Sequence, residues 1–346
     1  MRIVHLVWSL TTGGIETMLV DIVNEQVKTC DVRVFVINNH YNKALLQTIN
    51  PNVKVILFNR KPGSKNVLPL VKLNLSLLRF RPNVVHCHLA NLSRVIWFPF
   101  KKVLTLHNTH SNPEFLGNYD ELFCISKAVK NYAATQGFPN GIVVYNGIHT
   151  DIIPKRTLPF PDNRQTCKCV CVGRLHPMKG QDVLIEAVNI LVNKMGKTGF
   201  LLDLIGDGES KNELQALVCK YGLESCIHFL GKQQREEFYP KLKDYDLFVL
   251  PSVSEGFGLT LAEACAAKIP VISCDLEGPM EVIDNGRYGC SFKAGDANSL
   301  ADALVNHMEQ GINLEQVEGA YNYVRSHFDV RVTAFEYIKQ YKRIIQ

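Results

Sequence analysis

The residues with the most chemistry in them fall between positions 247 and 263. An apolar run at 247–250 ends at Pro251 and reads as a buried parallel strand. A loop of small residues follows at 252–258, then a Leu-, Ala- and Glu-rich stretch at 259–267 with helical character. A strand, a glycine turn and a helix N-terminus together suit an anion, because the first N–H groups of a helix lack internal acceptors and its dipole is positive there. Gly256 and Gly258 let a ligand approach the backbone closely. Glu255 stands before the helix and Glu263 within it. A carboxylate repels phosphate, so these two suit hydroxyl groups, and the stretch as a whole suits a ligand carrying both phosphate and sugar. The same residues also fit an ordinary strand–helix turn with solvated carboxylates.

Two further sets of residues have reactive types at strand ends. After the strand at 167–172 come Gly173, Arg174, Pro177, Lys179 and Gly180. Two cations in one strand–helix loop can neutralise a diphosphate without a metal ion, or simply be charges on a surface loop. Earlier, the run ending in His86 and His88 and the run ending in His107 present imidazoles from two strands at one sheet edge, which points toward function more than a lone histidine does. His86 and His88 have metal-ligand spacing, but no third ligand stands near them in sequence, so no metal site is expected. Near the start, Thr11, Thr12, Gly13, Gly14, Ile15 and Glu16 make a strand–turn–helix opening of nucleotide-domain type. It is neither a dinucleotide fingerprint nor a P-loop. Asp244 and Asp246 form an Asp-x-Asp pair at the start of a buried strand, the wrong end for ligand binding. No nucleophile elbow or Cys/His nucleophile pattern occurs.

The elements that must position these groups alternate regularly. Strand-like runs recur at 2–9, 32–37, 53–58, 84–87, 103–106, 122–125 and 142–145, with amphipathic stretches between several of them. The pattern restarts at 167–172, 200–205, 227–230, 245–250 and 271–273. This predicts an α/β chain with two doubly wound parallel sheets, and functional groups at the strand C-terminal ends. Asn146 and Gly147 close the first half, and 150–164, with Pro154, Pro159 and Pro161, reads as a linker. From 326 to the end the pattern is helical, with Val330, Phe335, Ile338, Tyr341 and Ile345 expected on one side, packing back on the first domain.

Size and composition agree with two domains. The chain has 346 residues, 46% of them hydrophobic and 21% charged. No apolar run approaches the ~20 residues that span a bilayer. The first ten residues read as a strand rather than a signal peptide. Eleven cysteines occur without a Cys-x-x-Cys pair, and they read as small buried hydrophobes in a reducing compartment. The net charge of +5 is uneven: residues 1–160 hold 18 Lys/Arg against 8 Asp/Glu, leaving 20 against 25 for the remainder. A first half at +10 suits an anionic partner such as a phospholipid surface or lipid diphosphate, or is a solvated surface. No aromatic-interleaved basic motif supports nucleic acid.

Taken in order, these residues resemble the family 4, group 1 retaining glycosyltransferases. The match rests on Glu255-Gly256-Phe257-Gly258 through Glu263, on Gly173-Arg174 with Lys179-Gly180, and on weaker landmarks at Gly13–Glu16, His86/His88, Asn146-Gly147 and Gly206–Gly208. The resemblance implies the GT-B fold, two Rossmann-like domains facing a central cleft. Residues 1–160 with the C-terminal helix at about 326–346 would bind the acceptor, and 161–325 the nucleotide-sugar donor. It implies that Arg174 and Lys179 hold the diphosphate in place of a metal. Backbone N–H groups of Gly256, Phe257, Gly258 and Leu259 would touch phosphate and sugar. Glu255 would bind sugar hydroxyls, Glu263 the ribose, and Gly14 would approach the diphosphate. Gly206 and Leu230 would lie near the base. His107 would reach the transferred sugar, with His88 as the alternative. The expected activity is metal-independent transfer of a hexose-type sugar, with retention, from a UDP-, GDP- or similar nucleotide-sugar. The acceptor would be a glycan or a lipid-linked molecule in capsule, lipopolysaccharide or exopolysaccharide synthesis. The expected location is cytoplasmic, possible membrane association being peripheral, with no cofactor. An epimerase acting on the nucleotide-sugar alone, and a non-catalytic sugar-nucleotide-binding protein, are the other readings.

Overall fold

Near-continuous runs of Val, Ile, Leu and Phe cannot face water on either side, so they form parallel strands covered by helices on both faces. A computed structural model describes residues 1–346 except 12, 111, 158 and 161–165. Thr12, Pro161 and Arg164, which belong to expected turn and linker segments, lie outside the described residues. The chain divides into two units, 1–148 with 328–346, and 149–327, so the break falls at Ile148/His149 rather than near 160.

The first unit holds a seven-stranded parallel sheet. Its strands are β1 (Arg2–Val7), β2 (Asp31–Asn38), β3 (Lys54–Arg60), β4 (Val84–Cys87), β5 (Lys102–Leu106), β6 (Glu121–Cys124) and β7 (Ile142–Val143). They lie in the order β3-β2-β1-β4-β5-β6-β7. The helices are α1 (Gly14–Gln26), α2 (Lys43–Gln47), α3 (Leu68–Phe80) and α4 (Lys127–Thr135). Ser126 caps α4 as its sequence suggests, accepting from the Val129 N–H.

The second unit holds a six-stranded parallel sheet in the order β10-β9-β8-β11-β12-β13. Its strands are β8 (Cys167–Val172), β9 (Phe200–Ile205), β10 (Ile227–Gly231), β11 (Leu247–Leu250), β12 (Val271–Cys274) and β13 (Cys290–Phe292). Among the described residues its α-helices are α5 (Gln181–Asn189), α6 (Lys211–Tyr221), α7 (Arg235–Leu242), α8 (Leu259–Ala266), α9 (Glu277–Val282), α10 (Ala297–Gln310) and α11 (Leu314–His327). Each sheet reverses its winding direction once, between β1 and β4 in the first and between β8 and β11 in the second. Loops diverge at such a point and leave a crevice beyond the strand C-termini.

The last helix, α12 (Val330–Ile345), belongs to the first unit and packs on α1. Its buried face differs from the expected one. Val330, Thr333, Ala334, Tyr337 and Tyr341 are buried, whereas Phe335 is 63% and Ile345 39% exposed. At about 100° per residue, Phe335 points some 140° away from Val330. The helix also starts late, because Asp329 ends α11's continuation by capping the new helix through the Arg331 N–H. Among the cysteines, Cys167, Cys169 and Cys171 are buried in β8, but Cys219 and Cys290 are exposed, so not all of them serve as core residues. No helix among the described residues is long and apolar enough to cross a membrane.

Candidate active site

In the second unit, two loops at the winding reversal are stitched together. The loop after β8 makes a short turn at Pro177–Lys179, and the Met178 carbonyl accepts from the Val253 N–H (3.0 Å) and the Ser254 N–H (3.2 Å) of the loop after β11. Gly180 then starts α5 in the left-handed region, at φ +65°, where a side chain would also strike the Pro251 carbonyl. That approach brings the Lys179 Nζ to 2.6 Å from the Glu255 Oε2, with the Ser252 hydroxyl 3.4 Å from the same oxygen. Both charged side chains are only partly buried, so the pair faces outward from the strand ends. Arg174 is exposed and makes no ion pair with a described residue; its carbonyl is held by the buried Gln181 amide (3.0 Å).

The remaining expected residues sort themselves by depth. Gly258 caps α8 at φ +105°, so the free N–H groups of the helix start at Leu259, four residues after Glu255 in the chain. The Phe257 side chain is sealed in the core at 1% exposure, leaving its backbone for any ligand. Glu263 is buried at 4% and accepts from the Tyr239 hydroxyl (2.7 Å), with the Arg235 Nε 4.0 Å away. Gly206 follows β9 and Leu230 is the penultimate residue of its neighbour β10; the Gly206 N–H donates to the Gly231 carbonyl (2.9 Å), and Leu230 is exposed. Asp246, by contrast, is spent on structure. It pairs with Arg156 (3.3 Å) and accepts from the Lys168 N–H (3.0 Å).

In the first unit, Gly14 opens α1 directly beyond β1, at the reversal of that sheet. His88 and His107 follow β4 and β5 and line a pocket of about 330 Å³ with Ile15, Leu104, Asn108 and Phe115. Beneath them lie two histidines of the neighbouring strands. His5 and His86 are register partners across β1 and β4, which puts their rings 4.9 Å apart, and His86 stacks on His88 at 4.4 Å. Burial, reinforced by the neighbouring rings, holds His86 and His88 well below the usual histidine range, and burial alone takes His107 down to about 4. His5 falls to about 4 for the same reason, partly offset by its bond to Gln26. Sequence reasoning had no place for His5, Gln26, Tyr239 or Gln181. Each is a polar residue inside an apolar or amphipathic run, and that misfit is the signal that marks them.

His5, His86 and His88 together offer three nitrogens close enough for a metal ion. Each of their six ring nitrogens already has a protein partner. His5 bonds His88 (3.1 Å) and Gln26 (2.7 Å), His86 bonds Tyr341 and Thr105 (2.7 Å), and His88 also bonds His107 (3.2 Å). The cluster is built as a hydrogen-bond network, with no lone pair of the three left over for a cation.

Comparison with known proteins bears on this geometry. The family model for group 1 glycosyl transferases matches residues 160–323, and that for glycosyltransferase family 4 matches residues 12–152. The chain belongs to the group 1, family 4 glycosyltransferases. One relative of this family member, the lipopolysaccharide 1,6-galactosyltransferase of Salmonella typhimurium, is 27% identical over 88% of this chain and 87% of its own. The uncharacterized glycosyltransferase MJ1178 of Methanocaldococcus jannaschii is 29% identical over 54% of this chain, which spans about half (49%) of the length of MJ1178. The fold is shared with Anabaena Alr3699/HepE in complex with UDP and glucose, at a TM-score of 0.81 and 20% identity over 98% of both chains. The family has the GT-B fold, and the two parallel-sheet units described above are its two Rossmann-like domains.

Proposed function

We propose that this family member transfers a hexose-type sugar, with retention of configuration, from a nucleoside-diphosphate-sugar to a glycan or lipid-linked acceptor in cell-surface polysaccharide synthesis. The observation that carries this reading is the Lys179–Glu255 pair (2.6 Å), whose lysine shares the loop after β8 with Arg174, which makes no ion pair with a described residue, and whose glutamate precedes the N-terminus of α8 by four residues. Cations and helix N–H groups receive the diphosphate, and the carboxylate receives sugar hydroxyls. Lys179 and Glu255 hold one another in place until the ligand arrives, so Lys179 exchanges part of that contact for a phosphate oxygen. Glu263, oriented by Tyr239, receives the ribose, and the Gly206 and Leu230 strand ends flank the base. The family resemblance assigns His107, which lines the first unit's pocket, to the transferred sugar. Gly14 opens α1 toward the diphosphate. No metal or organic cofactor takes part. The galactosyltransferase relative and the UDP-bound HepE support a lipopolysaccharide-type product and a UDP-type donor.

In such a reaction the carbohydrate approaches an oxocarbenium-like state while negative charge grows on the departing phosphate. Fixed cations at that phosphate lower the barrier, and losing one such group costs about 2.7–4 kcal/mol. Arg174→Ala and Lys179→Ala are each expected to lower turnover by roughly two to three orders of magnitude, with folding intact. Turnover within a few-fold of wild type in either variant would remove the basis of the reading. Incubation with the nucleotide-sugar alone separates transfer from epimerisation, because only an epimerase makes an isomer without an acceptor. The basic first unit further supports docking on an anionic membrane surface, which brings the enzyme to a lipid-linked acceptor from the cytoplasmic side.

A further inference from the structure

We propose that Gln26, His5 and His88 form a positioning relay that fixes which nitrogen of His107 carries its proton, leaving Nδ1 as the acceptor. The proposal rests on the reading that His107 meets the transferred sugar. The relay is a continuous line of hydrogen bonds through the first unit. Gln26 Oε1 meets His5 Nε2 (2.7 Å), His5 Nδ1 meets His88 Nε2 (3.1 Å), and His88 Nδ1 meets His107 Nε2 (3.2 Å). The rings of His5 and His88 stack at 5.4 Å and those of His88 and His107 at 5.4 Å, so the line is also sterically held.

Its polarity follows from the first member. An amide oxygen only accepts, so the proton facing Gln26 sits on His5 Nε2. A neutral imidazole has one N–H and one lone pair, and burial keeps all these rings neutral. The lone pair of His5 is therefore on Nδ1, and His88 must donate to it from Nε2. The same step repeats: His88 Nδ1 accepts, and His107 donates from Nε2. His107 Nδ1 is left with a lone pair, and it is the nitrogen that is shielded from water with no partner among the described residues. An unpaired buried acceptor costs about 1–3 kcal/mol.

This arrangement suits the chemistry proposed above. A charged imidazolium beside an oxocarbenium-like sugar would oppose the positive charge that develops there. A neutral ring does not. His86, bonded to Tyr341 and Thr105 and stacked on His88, takes no part in the proton order but pins the rings in place.

The test reads tautomers directly. Long-range nitrogen–proton NMR on the full-length protein, with histidine labelled in the ring, is expected to show His5, His88 and His107 all neutral and protonated at Nε2. A protonated Nδ1 on His107, or a charged His107 at neutral pH, overturns the proposal. Gln26→Met removes the acceptor; it is expected to mix the His107 tautomers and lower kcat about ten- to a hundredfold, with the KM for the donor little changed. Gln26→Glu restores an acceptor-only oxygen and is expected to recover both the Nε2 tautomer and most of kcat. Wild-type kcat in Gln26→Met, with His107→Ala inactive, sinks the relay and leaves the role of His107 standing. Full activity in His107→Ala sinks the reading on which the relay rests. If Gln26→Met fails to fold, the wild-type spectra still decide.

Discussion

Four imidazoles at the first sheet, His5, His86, His88 and His107, are costly to protonate. Burial holds His5 and His107 down to about 4 and keeps His86 and His88 well below the ordinary 6.5. In the unfolded chain all four take up protons as the pH drops past about 6.5. Across that window the unfolded state binds more protons than the folded one, so stability rises with pH and is lost as pH falls from 6.5 toward 4. Each such histidine adds a slope of up to about 1.4 kcal/mol per pH unit. The expected outcome is a melting temperature that falls steeply across this range. His86→Gln, which has no ionisable ring, should show a shallower fall whatever its absolute stability. Equal slopes in the two proteins would assign the acid lability to other groups. The histidines also mark how far single residues speak in the sequence. His86, His88 and His107 stand out because they end apolar runs. His5 joins them only through the strand register that pairs it with His86, and no local pattern in residues 2–7 announces that partner.

At the scale of elements, the strands and the loops between them were legible, because parallel strands buried on both faces leave long uninterrupted apolar runs. β8, β9 and β4 fall on the residues expected, and α8 begins where the glycines of the 256–258 turn end. Helix faces were less legible. In α12 the buried side is built from Thr333 and the tyrosines Tyr337 and Tyr341, whose rings are apolar but whose hydroxyls need partners: Tyr341 bonds His86, and Tyr337 bonds Thr105 (2.9 Å). A search for purely apolar residues therefore selects Phe335 and Ile345 instead. Gly147 is a similar case. It matches a weaker family landmark in sequence, and a side chain there would run into Thr333 and the backbone of Val330. Its smallness lets α12 lie across the end of the first sheet. Gly147→Ala is accordingly expected to destabilise the first unit by about 1–3 kcal/mol without changing the nucleotide affinity of the second. Denaturant unfolding and nucleotide titration measure the two separately, and an unchanged midpoint would show that the contact yields freely. Tyr341→Phe keeps the packing but strands a buried His86 nitrogen, at a cost of about 1–3 kcal/mol in the same assay.

Across the whole chain the charge is unevenly placed, and part of the surplus is gathered in one spot. Arg2, Arg33, Lys54 and Arg79 line a pocket of about 520 Å³ at the end of the first unit's sheet where β1, β2 and β3 begin, with Asp31 as the one carboxylate there. None of the four cations forms an ion pair with a described residue. The Arg33 guanidinium is steadied by lying 3.7 Å over the Phe80 ring, so one of the four is fixed rather than waving in solvent. Leu75 and Leu78 are exposed on α3, which also supplies Arg79. This edge is the opposite one from the strand C-termini that carry His88 and His107, so a headgroup held here leaves that edge open. Unpaired cations next to exposed leucines suit an anionic lipid surface better than a small soluble anion, which has no use for the leucines. Each basic residue near such a surface contributes about 1 kcal/mol, and that attraction is screened within about 8 Å at physiological salt. Sedimentation with phosphatidylglycerol-containing vesicles is expected to pull the protein down at low salt, and pure phosphatidylcholine vesicles to leave it in solution. Lys54→Gln with Arg79→Gln should weaken the partition by roughly thirtyfold, from two lost cations at about 1 kcal/mol each, while transfer to a soluble acceptor stays unchanged. Equal binding to neutral and anionic vesicles, or no effect of the double substitution, would detach the charge asymmetry from any membrane role.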